Sequence, residues 1–389
     1  MMAFDDTRAQ LLIRTLLDAG WEVSAVMPPG AAGQVLRGGA RHVALPRVSC
    51  YFWPDSRWHE LLLGLWQRFR NSMIAIPKAW RELPAICVCH EPDSWLVGLV
   101  LKWFRGAALV VDLREVYEDR VSAFPPRFRT FLRRWMRKTL SLFARSSDSV
   151  IHVSEDRASL YRFPGTPSTV IHHYPHAAMF PAISPKRLEG LGGKFVVLHA
   201  GPLRPNYAGS EILHAIEIAS AAIPDLVCLV LGGDARSGAN DRPLLLRLAR
   251  EGKLILLPRL PHDEALALMK GSDAGLAVVL PVDQTHQLAC PVKLFEYLHV
   301  GLPVIGSNVS EIRRVLNQYE CGITVDARNP GEIADAMIRL AQDPRLRATL
   351  SRNALLAAEK SLNWERERPK VIQLFDSVRL QALESRGSL

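Results

Sequence analysis

No apolar run in this 389-residue chain approaches the ~20 residues that a bilayer-spanning helix needs; the best, Leu96–Leu101, stops at Lys102. The N-terminus, Met1-Met2-Ala3-Phe4-Asp5-Asp6, has no basic start followed by an apolar stretch, so no secretory signal is visible. Cysteine is sparse: the six, at 50, 87, 89, 228, 290 and 321, share no framework spacing, and a reduced, cytoplasmic compartment is the plain reading. Cys87-Val88-Cys89-His90 has metal-ligand residue types but no second ligand pair; alternation along a strand accounts for it, and no metal is expected. The chain contains no Asp-x-Asp, no repeat of solenoid period and no low-complexity segment. No Gly-x-Gly-x-x-Gly follows an expected strand, which counts against a dinucleotide-dependent oxidoreductase.

What is present is ample for two cores. Hydrophobic residues at 48% and charged residues at 22% exclude disordered and fibrous classes, and the length suits two domains. The net charge of +9 is lopsided, with +8 on residues 1–190 and +1 on 191–389. Tryptophan follows the same bias, since eight of nine precede residue 136 and only Trp364 lies beyond. Contact with anions or an amphipathic surface is therefore expected of the first half.

Periodicity divides the chain into two α/β series. Thr7–Ala19 reads as a helix ended by Gly20, followed by strands at Trp21–Met27, Ala85–Cys89, Ala107–Val111 and Ser149–Val153 with helical stretches between. Pro175, Pro181, Pro185 and Gly190-Leu191-Gly192 mark a linker over 173–193. A second series follows: strands at Phe195–His199, Leu226–Leu231, Leu254–Leu257, Ala274–Val279 and Pro303–Gly306. Its helices are expected at Ser210–Ala222, Arg242–Glu251, Asp263–Lys270 and Val292–Val300, then two closing helices and a last one from Trp364. Parallel sheets covered on both faces follow from such alternation. The strand that normally opens a doubly wound domain has no counterpart before Thr7, so the first domain reads as short by one strand.

The most informative run is Leu288-Ala289-Cys290-Pro291-Val292-Lys293-Leu294-Phe295-Glu296-Tyr297-Leu298-His299-Val300-Gly301-Leu302-Pro303-Val304-Ile305. Pro291 suits a helix's first turn, whose exposed N–H groups make an anion site for a diphosphate. Lys293 adds a point charge, and Glu296 can accept hydrogen bonds from a ribose's vicinal hydroxyls. A capped surface helix with a solvated Lys and Glu fits the spacing equally well.

That run resembles the signature of the retaining glycosyltransferases of family 4, the group 1 glycosyl transferases. Other segments are similar in order and spacing: Asp6-Thr7-Arg8, Cys89-His90-Glu91-Pro92-Asp93, Val111-Asp112-Leu113-Arg114-Glu115, His199-Ala200-Gly201-Pro202-Leu203, Leu231-Gly232-Gly233-Asp234 and Asn363-Trp364-Glu365. The resemblance implies an α/β GT-B fold: two Rossmann-like, doubly wound domains facing across a cleft, the first over 1–183 and the second over 184–363. The closing helix 364–389 would return to the first. It implies sugar transfer from a nucleotide-diphosphate-sugar donor with retention, with no metal and no cofactor beyond the donor substrate. Donor binding would fall to Glu296, Lys293, Val292, Gly201 and Arg204, with His90 as the catalytic group near the donor sugar. Asp6, Arg114 and Glu115 would lie on the acceptor side.

Three departures stand out. The family's fuller motif is Glu-x7-Glu, and its first position here is Leu288, for which Asp283, His286 or Gln287 are the substitutes in the same loop. The Arg and Lys expected after the glycine turn are out of register, leaving Arg204 as the replacement that can pair two phosphate oxygens. The histidine of Asp-x-His-Glu is Arg114.

Phe128, Phe131, Leu132, Trp135, Met136, Leu142 and Phe143 fall on one helical stripe, opposite Arg127, Arg129, Arg133, Arg134, Arg137 and Lys138. A basic amphipathic helix suits anionic lipid, and Trp53, Trp58, Trp66 and Trp80 among basic residues support peripheral contact with an anionic membrane. The simpler reading packs the stripe on the sheet with the arginines solvated. Nucleic acid is not expected, because no recognition motif accompanies the charge. The expected function is a transferase at the inner face of the cytoplasmic membrane, acting on a lipid-linked or glycan acceptor in surface polysaccharide or glycoconjugate synthesis. A non-catalytic, glycosyltransferase-like subunit is the alternative, suggested by Leu288 and the shifted phosphate residues.

Overall fold

The computed structural model describes residues 7–27, 39–44, 58–90, 92–124, 126–180, 183–232 and 241–387. They form two units, one of Met1–His173 with Arg366–Leu389 and one of Tyr174–Glu365. The expectation about a missing opening strand concerns residues 1–6, which lie outside the described residues.

In the first unit α1 (Thr7–Asp18) leads to a parallel pair, β1 (Ser24–Met27) and β2 (Arg41–Ala44). Then come α2 (Trp58–Arg81), β3 (Ile86–Cys89), α3 (Pro92–Arg105), β4 (Ala108–Leu113), α4 (Pro126–Arg145), β5 (Ser149–His152), α5 (Glu155–Leu160) and β6 (Ser168–Val170). The strands β3 to β6 form a parallel sheet in chain order. Its inner strand β4, Ala-Leu-Val-Val-Asp-Leu, is buried throughout, as a strand covered on both faces should be, and Asp112 is its one ionisable residue. The short β2 and β6 were not legible in the sequence, because neither carries an extended β-branched or alternating run.

The stripe on α4 divides rather than following either simple expectation. Leu140, Phe143 and Ala144 are buried toward the C-terminal end. Phe128, Phe131, Trp135 and Leu142 are instead 43%, 68%, 55% and 61% exposed, so most of the aromatic stripe is not core. No described helix is long and apolar enough to cross a membrane.

The second unit runs β7 (Phe195–Ala200), α6 (Gly209–Ala222), β8 (Leu226–Leu231), α7 (Arg242–Arg250), β9 (Leu254–Leu257), α8 (His262–Lys270) and β10 (Ala274–Ala277). It continues with α9 (Gln284–Gln287), α10 (Val292–His299), β11 (Val304–Ser307), α11 (Ser310–Tyr319), β12 (Gly322–Val325), α12 (Pro330–Gln342) and α13 (Pro344–Lys360). Six parallel strands stand in the order β12-β11-β10-β7-β8-β9. Alternate residues of β7 feed two layers: Val196 and Leu198 pack with Leu294, Phe295 and Leu298, while Val197 packs with Ile212, Ile216 and Met337. Strand order reverses between β7 and β10, and the carboxyl ends of strands at such a reversal are where open α/β sheets bind ligands. Three elements go beyond the sequence expectation: α9 inside the loop after β10; β12, whose Gly-Ile-Thr-Val lacks a full alternating pattern; and a third helix among α11, α12 and α13, where two were expected.

The last helix, α14 (Trp364–Gly387), completes the first unit. Trp21 meets Phe375 edge-on at 6.1 Å, Arg368 pairs with Asp18 at 3.0 Å, and the His172 amide donates to Glu367 at 3.0 Å.

Candidate functional site

At the switch point of the second unit the chain makes two glycine turns in contact. Gly201 ends β7 with φ 122° and donates to the Leu231 carbonyl at 2.7 Å, and Gly232 ends β8 with φ 123°. A Cβ on Gly232 would stand 3.3 Å from the Gly201 carbonyl carbon, so both the conformation and the spacing require glycine there. Arg204 follows, its carbonyl accepting from the amides of Tyr207 and Gly209 at 3.0 Å each, which folds the turn into the start of α6.

Helix α10 faces these turns from the β10 side. Tyr297 fixes it: its hydroxyl accepts the Ala200 amide proton at 2.8 Å, and its ring lies over Gly275, where a Cβ would come within 2.7 Å. With Tyr297 pinned to the sheet, Val292, Lys293 and Glu296 occupy the first turns, and Pro291 at the N-cap supplies no side-chain acceptor. The amide groups at this end have no side-chain acceptor, and the helix dipole makes such an end favourable to an anion.

Electrostatics mark the same residues. Burial pushes the Lys293 ammonium down to about 7, opposed by Glu296. Burial raises the Glu296 carboxyl, opposed by His262 and Lys293, and His262 Nε2 lies 3.8 Å from Glu296 Oε1. Beneath Gly201 the buried His199 is held well below its usual range by burial and by the charge of Lys293. Lys293 and Glu296 are thus largely buried and act on each other's charge, unlike the solvated pair of a surface helix face. Lys293 Nζ stands 6.0 Å from the Tyr207 ring centroid, and that ring meets His286 edge-on at 5.7 Å. His286 Nδ1 is bonded to Asp283 at 2.6 Å, so two of the residues named as substitutes for the carboxylate missing at Leu288 form one pair. Tyr207, His262 and His199 were missed in the sequence; their place in turns and at a strand end marks them only once the sheet order is known.

The first unit gathers a second set of residues. Arg8, buried on α1, donates to both Asp112 oxygens at 3.0 and 3.1 Å and to the Ile171 carbonyl at 2.8 Å. Arg114 Nε donates to Asp112 at 3.0 Å. His90 Nδ1 stands 2.9 Å from both an Asp112 oxygen and Arg114 Nη2. With a proton on Nδ1 the ring donates to Asp112; without one it accepts from Arg114. Burial alone would raise the Asp112 carboxyl, but the two guanidiniums and His90 hold it well below the usual range. Arg114 thus joins His90 on one carboxylate, while Glu115 beside it is exposed. Asp6 lies outside the described residues. Arg8 was the missed member: it sits four, seven and eight residues before Leu12, Thr15 and Leu16, all buried, so its place on the core face was readable.

Residues 6–176 match the model of the glycosyl transferase 4-like domain, and residues 183–356 that of the glycosyl transferases group 1. The D-inositol 3-phosphate glycosyltransferase of Thermomonospora curvata is 26% identical over 186 residues, 46% of this chain and 42% of that one. That of Thermobispora bispora is 24% identical over 240 residues, 60% of this chain and 53% of that one. The chain thus spans about half the length of the curated relatives it matches. Among solved structures, sucrose-phosphate synthase of Thermosynechococcus elongatus has a TM-score of 0.66 at 16% identity, covering 96% of this chain and 92% of that one. Anabaena HepE in complex with UDP-glucose has a TM-score of 0.65 at 14% identity, covering 94% and 95%. Two adjoining family models over most of its length, and a shared fold of two parallel-sheet α/β units, place the chain in the group 1 glycosyl transferases of family 4, with the GT-B fold.

Proposed function

We propose that this chain transfers a sugar from a nucleotide-diphosphate donor to an acceptor hydroxyl, with retention of anomeric configuration and without a metal ion. One observation carries the reading: α10 starts without a side-chain cap, and its first-turn Lys293 acts on His199 directly beneath Gly201 and stands 6.0 Å from the Tyr207 ring. Backbone amides and Lys293 would hold the diphosphate and stabilise its charge as it leaves, the largest contribution in such chemistry. Arg204 would complete the phosphate side, Val292 would present its amide, and Glu296 would accept from the ribose hydroxyls. His90, oriented by Asp112, would serve the reacting sugar. The solved relatives determined with UDP-glucose support a donor of this class.

A lipid-linked or glycan acceptor, in surface polysaccharide or glycoconjugate synthesis, is favoured by the exposed aromatic and basic surface of the first unit. Trp66 and Phe69 on α2, Trp103 and Phe104 on α3, and Phe131 and Trp135 on α4 are all exposed, which supports peripheral contact with the inner face of a membrane. A phosphorylated polyol is the second reading of the acceptor, favoured by the names of the curated relatives and by Arg114 beside His90. The test is nucleotide binding and slow donor hydrolysis across a panel of UDP-, GDP- and other activated sugars. Turnover of one donor supports the transferase; neither binding nor turnover assigns the chain to a non-catalytic subunit instead.

A further inference from the structure

The first unit holds a cavity of about 500 Å³ between the C-terminal half of α4 and the turn after α5. Arg134, Arg137, Lys138 and Arg145 line it from α4, and Arg162 closes it from the turn. No carboxylate is among its lining residues. Of the cavity's cations only Arg137 has an acidic partner among the described residues, Glu118 at 3.9 Å, which already accepts from the Tyr161 hydroxyl. Arg134, Lys138, Arg145 and Arg162 make no ion pair with any described residue. All five cations are exposed, and like charges one helical turn apart, as at Arg134 and Lys138, repel weakly, a repulsion that a bound anion would relieve. Guanidinium groups suit phosphate in particular, because each can donate two parallel hydrogen bonds. The cavity is not purely polar: Leu142, 61% exposed, and Phe163 supply an apolar side.

We infer that this cavity binds a phosphate group bearing an apolar arm, the chemistry of an anionic lipid headgroup. Cations take the phosphate; Leu142 and Phe163 take the start of the arm. The site goes beyond the transferase reading, since it shares no residue with the donor site around α10. Its assignment to a lipid rather than to a soluble phosphate ester rests on the proposed membrane contact, and the test separates the two.

The full chain is measured against phenyl phosphate by calorimetry and against phosphatidylcholine vesicles with and without phosphatidic acid by sedimentation. Arg145→Ala with Arg162→Ala removes two cavity charges; Arg127→Ala with Arg133→Ala removes two from the same helix outside it. All four are exposed, and circular dichroism checks the fold. The expected result is loss of phenyl phosphate binding and a drop of about 25-fold in vesicle affinity for the cavity pair, at ~1 kcal/mol per near-surface charge, with a smaller drop for the control pair. Cavity-dependent phenyl phosphate binding without vesicle binding supports the site and assigns it a soluble ester. Absence of phenyl phosphate binding in the parent protein, or equal vesicle losses for both pairs, overturns it. Donor hydrolysis by the same variants is expected to be unchanged, which keeps this outcome apart from that of the transferase reading.

Discussion

The Tyr297 hydroxyl accepts the Ala200 amide proton at 2.8 Å, tying the helix that carries Lys293 and Glu296 to the strand that ends in Gly201. The contact exists because Gly275 leaves room for the ring. Gly275→Ala is expected to cost about 1–3 kcal/mol by overpacking, and Tyr297→Phe about 0.5–1.5 kcal/mol, chiefly by loss of the bond from the Ala200 amide, with the longer contacts to the Leu198 and Leu276 carbonyls lost too. Urea unfolding measures both. A Gly275→Ala protein as stable as the parent would mean that the ring is not held over the strand.

Glu296→Ala should weaken nucleotide binding by about 1–3 kcal/mol, the range for a lost hydrogen-bonded partner in a buried site. Titration calorimetry with the preferred nucleotide reads it directly. Unchanged affinity would remove Glu296 from the ribose.

Lys293 provides a pH signature. Its pKa of about 7 in the folded, ligand-free protein is set by burial, and a bound diphosphate should raise it. Binding above neutrality then takes up a proton, and affinity falls as pH rises. Calorimetry at about pH 8 in buffers of different ionisation enthalpy counts the proton, and Lys293→Met should abolish the uptake. Because the unfolded chain holds this proton up to about pH 10, the same group makes stability rise with pH from about 7 upward. Binding without proton uptake would place the diphosphate elsewhere.

Asp112→Asn leaves the buried Arg8 guanidinium without its counter-charge and should destabilise the first unit by about 3–5 kcal/mol. With the native residue the contribution is present above about pH 4 and is lost as pH falls through the depressed folded value. The double variant Arg8→Met with Asp112→Asn should recover much of the loss. If the single variant is neutral in chemical unfolding, the pair does not hold α1.

His172 acts in the opposite direction. Burial would lower its pKa, but Glu155 and Glu367 raise it to about 9. Its stabilising charge is complete below about pH 6.5 and is lost as pH rises through about 9. Across that window the melting temperature of the parent minus that of Glu367→Gln should fall, whatever Lys293 adds to both; parallel curves would refute the pairing.

Much of this was legible in the chain because the second series is regular. Leu226–Leu231 and Leu254–Leu257 are continuous apolar runs bounded by polar turns, and the structure has strands at those same residues. Pro291, Lys293 and Glu296 were readable as a group because a helix places neighbours in sequence on adjacent turns. His262, Tyr207 and His199 were not, since their meeting depends on strand order, which local pattern does not encode. The stripe on α4 shows the limit of periodicity: it finds an apolar face but not what covers it, and here Phe131 and Trp135 are exposed while Phe143 is buried.

The first unit is assembled from two separated pieces, residues 1–173 and 366–389, with the second unit threaded whole between them. During synthesis the second unit is complete while Trp21, Asp18 and the His172 amide still await Phe375, Arg368 and Glu367. The second unit is therefore the natural fragment to express alone, whereas a stop codon placed before α14 would leave the first unit with an open flank for chaperones and proteases to find.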